Sequence, residues 1–214
     1  MAELACYAPA TEARDRLKAL KALPRRPGEA KFFWYDAHFK REAVKVLPGE
    51  YAVHDEEVLI MTVLGSCIAC CLWDRDAHIG GMNHFMLPGD AGDGGRYGAF
   101  AMEQLINELL KLGARRSSLE AKVFGGGQVI AGMETINVGE RNTRFALDYL
   151  RTERIPVVSK DVMDIYPRKV AFLPVSGKAM VKRLAPSQGH AVLEQERAAA
   201  VPAAGSAGGS VDLF

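Results

Sequence analysis

No charge of either sign predominates in this chain of 214 residues, because 27 Lys and Arg stand against 26 Asp and Glu. The sequence therefore has no overall basic field that would hold a phosphate backbone or an anionic lipid surface. It also lacks any apolar run near the roughly 20 residues that a membrane-spanning helix needs. Residues 1–20 lack the basic and then apolar order of a signal peptide. We expect a cytoplasmic protein, with no nucleic acid as a partner and no membrane insertion.

Cysteine is scarce as well: the chain has four, too few for a disulfide scaffold, so we expect reduced thiols. Three of them, Cys67, Cys70 and Cys71, lie in the apolar stretch LGSCIACCLWDRDAHIGGMNHFML, residues 64–87. Cys67 and Cys70 have C-x-x-C spacing, but residues three apart on a strand point to opposite faces. No second Cys or His pair has zinc-finger spacing. We therefore expect no metal site and no redox pair, and we assign Cys70 and Cys71 to packing.

A glycine-rich loop, FGGGQVIAG at residues 124–132, does not have the pattern of a nucleotide site. It lacks the Lys and the Ser or Thr of a phosphate-binding loop, and Ile130 stands where a dinucleotide fingerprint has its third glycine. A tight structural turn is the favoured interpretation, with a contact to an oxyanion or to a substrate backbone as the alternative.

Hydrophobic periodicity predicts helices over residues 11–23, 99–113 and 142–153, the last of them capped by Asn142. Runs of β-branched and apolar residues predict strands between residues 42 and 87, and again at 118–124, 155–159, 169–175 and 178–184. Ser176 and Gly177 mark a hairpin turn between the last two. Because strands outnumber helices and precede them, an α+β or layered α/β fold with a mixed sheet is favoured.

The predicted domain runs from residue 42 to residue 184. We interpret residues 1–41 as an N-terminal appendage, in which the aromatic segment KFFWYDAHF (31–39) is a strand or arm that packs on the domain. Residues 185–214 are rich in Ala, Gly, Ser and Pro, and we expect them to be disordered apart from a short helical turn at 191–200.

Cys67 and His84 are the candidate catalytic pair. If residues 67–73 and 79–85 form an antiparallel hairpin centred between Arg75 and Asp76, Cys67 lies opposite His84, with Cβ atoms about 4.5–5.5 Å apart. A free thiol is a poor nucleophile at neutral pH, and an adjacent imidazole can take its proton. The thiolate can then attack a carbonyl carbon while the imidazolium protonates the departing amine.

Gly65 and Ser66 fit the same chemistry. A glycine just before a nucleophile lets the backbone bend and direct N–H groups toward a developing oxyanion. Packing roles stay open at this point, because cysteines and single histidines are often found in protein cores.

At these residues the sequence resembles the chemoreceptor glutamine deamidases, the CheD family. The matching blocks span residues 44–184 and are, in chain order, VKVLPGEYAV, TVLGSCIACCLWD, GGMNHFMLP, AKVFGGG, INVGERN and PRKVAFLPVSGKAMVKRL. The resemblance implies that Cys67 is the nucleophile, that His84 is its histidine and that Thr62 is the threonine the family uses upstream of the cysteine. Where the family often has a glycine pair, this chain has Met163 and Asp164.

The resemblance also implies a fold and an activity. The fold is a layered sandwich of β-sheets with helices outside, a CheD-like cysteine hydrolase. The activity is that of a protein-glutamine glutaminase, an amidohydrolase that converts glutamines of methyl-accepting chemotaxis receptors to glutamates and needs neither a metal nor a cofactor. Partners would be the receptor cytoplasmic domains and a CheC-type phosphatase.

Two alternatives remain. Transglutamination uses the same thioester, intercepted by an amine instead of water. A protein of a different class, a non-catalytic module that docks receptors or a CheC-type phosphatase, would keep the fold without the chemistry. The set of Cys67, His84 and Thr62 favours an enzyme, because a scaffold has no physical need for a thiol beside an imidazole.

Overall fold

The computed structural model describes residues 10–87, 94–129 and 138–200. The helices of this part of the chain are α1 (Ala10–Ala22), α2 (Gly94–Lys111), α3 (Val138–Thr152) and α4 (Gly189–Ala200). The strands are β1 (Phe32–Asp36), β2 (Arg41–Lys45), β3 (Tyr51–His54), β4 (Leu59–Leu64), β5 (Ile68–Asp74), β6 (Ile79–Phe85), β7 (Leu119–Gly125), β8 (Val157–Val162), β9 (Arg168–Phe172) and β10 (Ala179–Arg183). None of these helices is long and apolar enough to cross a membrane.

Two five-stranded sheets form the framework, with strand orders β1-β2-β4-β9-β10 and β3-β6-β5-β7-β8. Each sheet is mixed: β2 and β4 are parallel in the first and β7 and β8 in the second, whereas the other neighbours are antiparallel. The mixed sheets that the sequence favours are therefore confirmed. So is the hairpin of β9 and β10.

Alternation along β5 divides its side chains between two cores. Ile68, Cys70 and Leu72 belong to the core that the second sheet forms with α2 and α3. Ala69 and Cys71 belong to the core between the two sheets, together with Cys67. The layers are thus sheet, sheet and helices, the predicted sandwich. Cys67 and Cys70 lie on opposite sides of the second sheet, which confirms the expectation that residues three apart here point to opposite faces.

The helical predictions succeed where an apolar stripe is present. In α2 the residues of the predicted stripe are fully buried, and they are Met102, Leu105, Ile106 and Leu109. Burying each such side chain contributes about 1.5–3 kcal/mol, so the stripe accounts for the packing of α2 on the second sheet. The third helix begins earlier than predicted, at Val138, so Asn142 lies within it and is not its cap.

Both ends of the described chain pack on the sheets beyond the predicted limits of the domain. β1 precedes residue 42 and pairs along its length with β2, as the strand or arm expected from the aromatic segment. Beyond residue 184, α4 is longer than the expected helical turn, and it contacts β4. Residues 201–214 of the predicted disordered tail lie outside the described residues.

Candidate active site

Residues 65–67 carry the chain from β4 in the first sheet to β5 in the second. The glycine-rich loop after β7 fixes this connection. The Gly126 N–H donates to the carbonyl oxygen of Cys67, and the Gly127 N–H donates to that of Gly65, both at 2.8 Å. Gly125 has a φ of +108°, and a Cβ there would lie 2.1 Å from the carbonyl oxygen of Cys67. The glycines therefore have the expected structural role and hold the backbone of the cysteine, although residues 126–129 do not form the tight turn that was predicted.

The hairpin of β5 and β6 differs in register from the predicted one. His84 lies opposite Ala69, not opposite Cys67, and the turn spans residues 75–78. The Asp74 carboxylate accepts hydrogen bonds from two backbone N–H groups of this turn, at 2.9 and 3.0 Å, and so centres it one residue later than expected. A displacement of two residues leaves a side chain on the same face of a sheet. Cys67 is therefore a diagonal neighbour of His84 on that face.

Thr62 and His84 meet across the two sheets. The Thr62 hydroxyl donates to the carbonyl oxygen of Val46 at 2.7 Å, and Oγ1 lies 2.8 Å from Nδ1 of His84. Because the hydroxyl has a single proton and donates it to the carbonyl oxygen, Oγ1 must accept a hydrogen bond from Nδ1–H. This hydrogen-bond network assigns the neutral ring as the Nδ1–H tautomer, which leaves a lone pair on Nε2. Nε2 is buried and has no hydrogen-bond partner among the described residues.

The thiol of Cys67 and the imidazole of His84 are both held in their neutral forms. Burial raises the pKa of the thiol well above its ordinary value of 9.0, and the carboxylate of Glu196 raises it further. Burial lowers the pKa of His84 below its ordinary value of 6.5, although Glu196 acts in the opposite direction. The arrangement is therefore a protonated thiol beside a basic nitrogen that is free to accept the proton.

Glu196, on α4, is the acidic member of the cluster. Its Oε1 accepts hydrogen bonds from the N–H groups of Gly65 and Cys67, at 2.7 and 3.2 Å. Its Oε2 accepts from both the N–H and the hydroxyl of Ser66, each at 3.2 Å. The side chain is only 2% exposed, and Oε1 lies 3.9 Å from Nε2 of His84. Gly65 and Ser66 thus each direct an N–H group at a carboxylate oxygen, Gly65 at Oε1 and Ser66 at Oε2.

Sequence reasoning missed Glu196, which lies 129 residues from Cys67 along the chain. Its one local signal is the i, i+4 spacing from Val192, which puts both residues on the same face of a helix. In the structure Val192 and Glu196 are both buried. A pattern this short does not reveal which part of the domain the face contacts.

Asn142 is the second residue whose role the sequence did not reveal. It is fully buried within α3. Its Nδ2 donates to the carbonyl oxygen of Ser66 at 2.8 Å, and its Oδ1 accepts from the Leu87 N–H at 3.0 Å. Asn142 therefore joins the nucleophile loop to the segment that follows β6. A polar residue on the same helical face as Ala146 and Leu150 is the signal that could have indicated this role.

Cys67, His84 and Glu196 are also a group of described residues that could reach one metal ion, because their donor atoms all lie within 4.8 Å of one another. The chemistry does not favour such an ion. The carboxylate already accepts four hydrogen bonds from residues 65–67. A metal would also require the thiolate, the form that burial disfavours here.

Met163 and Asp164 take the place of the glycine pair that the resemblance led us to expect. Both have a left-handed backbone, with φ of +67° and +68°, a conformation in which glycine is favoured. Their loop supports the glycine-rich loop after β7, since the Met163 N–H donates to the carbonyl oxygen of Gly125 at 2.9 Å. The Gln128 N–H in turn donates to that of Asp164 at 2.8 Å. The loop therefore has a shape suited to glycine without containing one.

Comparison with known proteins gives consistent results. A family profile described as CheD chemotactic sensory transduction matches residues 86–183, a segment that begins just after His84. Longer matches come from individual relatives. The chain is similar to the probable chemoreceptor glutamine deamidase CheD 1 of Albidiferax ferrireducens, with 64% identity over 206 residues that cover 94% of this chain and 88% of that protein.

Two further relatives carry the same name. The one from Dechloromonas aromatica is 59% identical over 156 residues, which cover 71% of this chain and 78% of the relative. The one from Shewanella oneidensis is 50% identical over 193 residues, which cover 85% of this chain and 92% of the relative. These similarities extend over most of both chains.

Proposed function

The chain belongs to the CheD family of chemoreceptor glutamine deamidases, and from this membership we propose that Cys67, His84 and Thr62 carry out the deamidation. One observation above all supports this assignment. The buried Nε2 of His84 has no hydrogen-bond partner among the described residues, and it lies in the same cluster as the thiol of Cys67. Thr62 keeps the other ring nitrogen protonated, so that Nε2 is the nitrogen that acts as base.

The reaction begins with proton transfer from the Cys67 thiol to Nε2 of His84. The thiolate attacks the carboxamide carbon of a receptor glutamine, and the His84 imidazolium then gives its proton to the departing ammonia. The C–N bond breaks as ammonia leaves, and a thioester remains. Water, activated by the same imidazole, hydrolyses the thioester. The net reaction consumes one water and releases one ammonia, and it converts a glutamine to a glutamate.

The loop of residues 65–67 supplies the electrostatic part of the mechanism. The N–H groups of Gly65 and Cys67 donate to Oε1 of Glu196, and the N–H group of Ser66 donates to Oε2, at distances of 2.7–3.2 Å. Donors fixed in this way stabilise the negative oxygen of a tetrahedral intermediate without having to reorganise, and removing one such donor typically slows a reaction about 10²- to 10³-fold. Gly65 and Ser66 are thus assigned to positioning the oxyanion.

The substrates are chemoreceptors, as the family name states. We place the reaction on their cytoplasmic domains, and hence in the cytoplasm. A CheC-type phosphatase partner stays a prediction from the family resemblance.

The test is to mix the full-length protein with a receptor cytoplasmic domain and to measure ammonia release. Peptide mass spectrometry then locates each glutamine that has become a glutamate. Cys67→Ala and His84→Ala should both abolish the conversion, because each removes one partner of the proton transfer. Cys70→Ala is the matched control: it removes a buried thiol on the other side of the same sheet and should retain activity.

Two results would contradict the assignment. Conversion that persists in Cys67→Ala would mean that another group is the nucleophile. Product that carries an added primary amine in place of the acid would identify transglutamination as the main reaction.

A further inference from the structure

The carboxylate of Glu196 occupies the position that the product of the proposed reaction would take. Its Oε1 accepts from the N–H groups of Gly65 and Cys67 and lies 3.9 Å from Nε2 of His84. These groups are the proposed oxyanion donors and the proposed base. A glutamate side chain is also what remains when a glutamine loses its amide. In its chemistry and in its position, Glu196 is therefore a product analogue that the chain itself supplies.

Helix α4 is positioned for this contact by close packing at its start. Gly189 approaches the loop of residues 125–129 so closely that a Cβ would lie 2.6 Å from the carbonyl oxygen of Val129. Val192 is 7% exposed and lies on the same face as Glu196, whereas Glu194 is exposed. The helix thus presents an apolar and an acidic side chain to the site and keeps a polar face toward solvent.

A narrow cleft beside α4 indicates which surface the helix covers. Residues on both sides line it: Thr62 and His84 from the sheets, Val46 and Pro48 from the segment between β2 and β3, and Val192 and Gln195 from the helix. Cys67 has no exposed surface. A glutamine of another protein therefore cannot reach the thiol in this arrangement, and Glu196 of α4, which accepts the N–H of Cys67, is among the groups that cover it.

We infer that α4 is an autoinhibitory helix that fills the substrate groove and holds Glu196 where the receptor side chain must bind. This inference rests on the proposed function, because a glutamine deamidase is the enzyme for which glutamate is the product. A groove that receives a glutamate from one face of a helix accepts a glutamine presented in the same way, by a helical segment of a receptor.

A receptor segment and α4 then compete for the same surface of the domain. The length of α4 makes this competition feasible. It has 12 residues, and isolated helices shorter than about 12–15 residues are marginally stable in water. The helix therefore depends on its contacts with the domain, and a receptor helix that makes equivalent contacts can displace it.

The first experiment measures access to the thiol and does not depend on any deamidase activity. The full-length wild-type protein, Glu196→Ala and Glu194→Ala are treated with iodoacetamide at a series of pH values, and labelling of each cysteine is followed by peptide mass spectrometry. The pH series separates a change in access from a change in the pKa of the thiol, which the Glu196 carboxylate raises. Glu194→Ala is the matched control, since it removes an exposed carboxylate from the same helix. Cys70, buried on the other side of the second sheet, reports any general unfolding of a variant.

The expected result is faster labelling of Cys67 in Glu196→Ala by about tenfold or more, since tenfold corresponds to losing just one of the four hydrogen bonds to this carboxylate. Labelling of Cys67 in Glu194→Ala, and of Cys70 in all three proteins, should stay at the wild-type rate. Equal labelling of Cys67 in the three proteins would overturn the inference. Labelling of Cys70 that rises together with that of Cys67 would also overturn it, because global unfolding would then explain the access.

The second experiment changes the internal ligand into a substrate. In Glu196→Gln the side chain offers a carboxamide to Cys67. The thiol attacks its carbon, ammonia leaves, and water hydrolyses the thioester, so position 196 of the purified protein should be found as glutamate by peptide mass spectrometry. The double variant Glu196→Gln with Cys67→Ala should retain the introduced glutamine. If that glutamine persists in the single variant while the same variant deamidates a receptor, Glu196 does not sit at the reaction centre and the inference fails.

The two proposals fail in different ways. If Glu196→Ala speeds the labelling of Cys67 but neither a receptor glutamine nor the glutamine introduced at position 196 is converted, the proposed function is wrong while α4 still shields the thiol. If the wild-type protein deamidates receptors at the same rate as Glu196→Ala and labelling is unchanged, the function stands and α4 is not autoinhibitory.

Discussion

Oγ1 of Thr62 and Nδ1 of His84 lie 2.8 Å apart although the two residues belong to different sheets. The contact joins β4 to β6 through the core between the sheets. It sets the direction of the imidazole, and through the Val46 carbonyl it also sets which ring nitrogen carries the proton. The packing of one sheet on the other is therefore part of the chemistry of the site.

Thr62→Val should slow deamidation about 10- to 100-fold. Valine has nearly the same shape but cannot accept the Nδ1 proton, and losing a buried partner costs about 1–3 kcal/mol. The loss should appear mainly in kcat, because Thr62 acts on the ring of His84 and not on the substrate. Thr62→Ser, which keeps the hydroxyl, should restore most of the rate. Equal rates in Thr62→Val and the wild type would show that the tautomer is set by another contact.

The pH dependence of deamidation should show that the thiol of Cys67 and the imidazole of His84 are both neutral before the reaction. Burial places the pKa of His84 below 6.5 and that of Cys67 well above 9.0, so His84 is a neutral base and Cys67 a protonated thiol at every pH between those values. We expect kcat/KM to be flat from pH 6.5 to 9.0 and to fall only below pH 6.5, as His84 becomes protonated. A pH–rate profile on one receptor domain measures this. A fall in kcat/KM as the pH rises from 6.5 to 9.0, caused by an imidazolium losing its proton, would instead indicate a resting thiolate–imidazolium pair.

Asn142→Asp should destabilise the protein and slow the reaction. Aspartate keeps the acceptor for the Leu87 N–H but replaces the donor to the Ser66 carbonyl by an oxygen. The lost hydrogen bond should lower the free energy of unfolding by about 1–3 kcal/mol, as denaturant titration would show. At a helix N-cap, aspartate replaces asparagine without loss, so the result also distinguishes the observed role from the one predicted by sequence. Asn107→Asp, the same change at an exposed position of α2, is the control and should have little effect.

Met163→Gly should stabilise the protein. The left-handed backbone at this position, with φ of +67°, disfavours a residue with a Cβ. Removing the side chain should raise the free energy of unfolding by roughly 0.5–1 kcal/mol, the penalty for this conformation less the larger entropy that glycine loses on folding. Met180→Gly, in β10, is the control and should destabilise. A loss of stability in Met163→Gly would mean that the side-chain contacts of Met163 outweigh the strain of its backbone.

Much of the architecture could be predicted from local patterns. The apolar stripe of α2 identifies the helix and its buried face, because the helical period brings residues at i, i+3, i+4 and i+7 onto one side. Alternation along β5 separates Cys67 from Cys70, because successive side chains of a strand point to opposite sides. The same alternation kept Cys67 and His84 on one face even though the predicted register was displaced by two residues.

The displaced register of the β5–β6 hairpin is a feature that local sequence patterns were not sufficient to predict. The register of a hairpin follows from its turn, and here the side chain of Asp74 sets the turn by binding two backbone N–H groups. The polar run DRDAH contains several residues at which a turn could be centred. The pattern of apolar and polar residues is the same for each choice, so the sequence did not distinguish between them.

Sequence patterns and the family resemblance were sufficient to predict the layered sheets, the helix that covers one of them, and Cys67, His84 and Thr62 as the candidate catalytic residues. How those residues are arranged, and which other side chains contact them, depends on the packing of segments that are distant along the chain. Glu196 lies 131 residues from Gly65 along the chain and Asn142 lies 76 residues from Ser66, yet each is hydrogen-bonded to the loop that carries the nucleophile. This limit arises because the periodicity of apolar residues encodes only which face of an element is buried. Which distant side chain is buried against that face depends on how all the elements pack together.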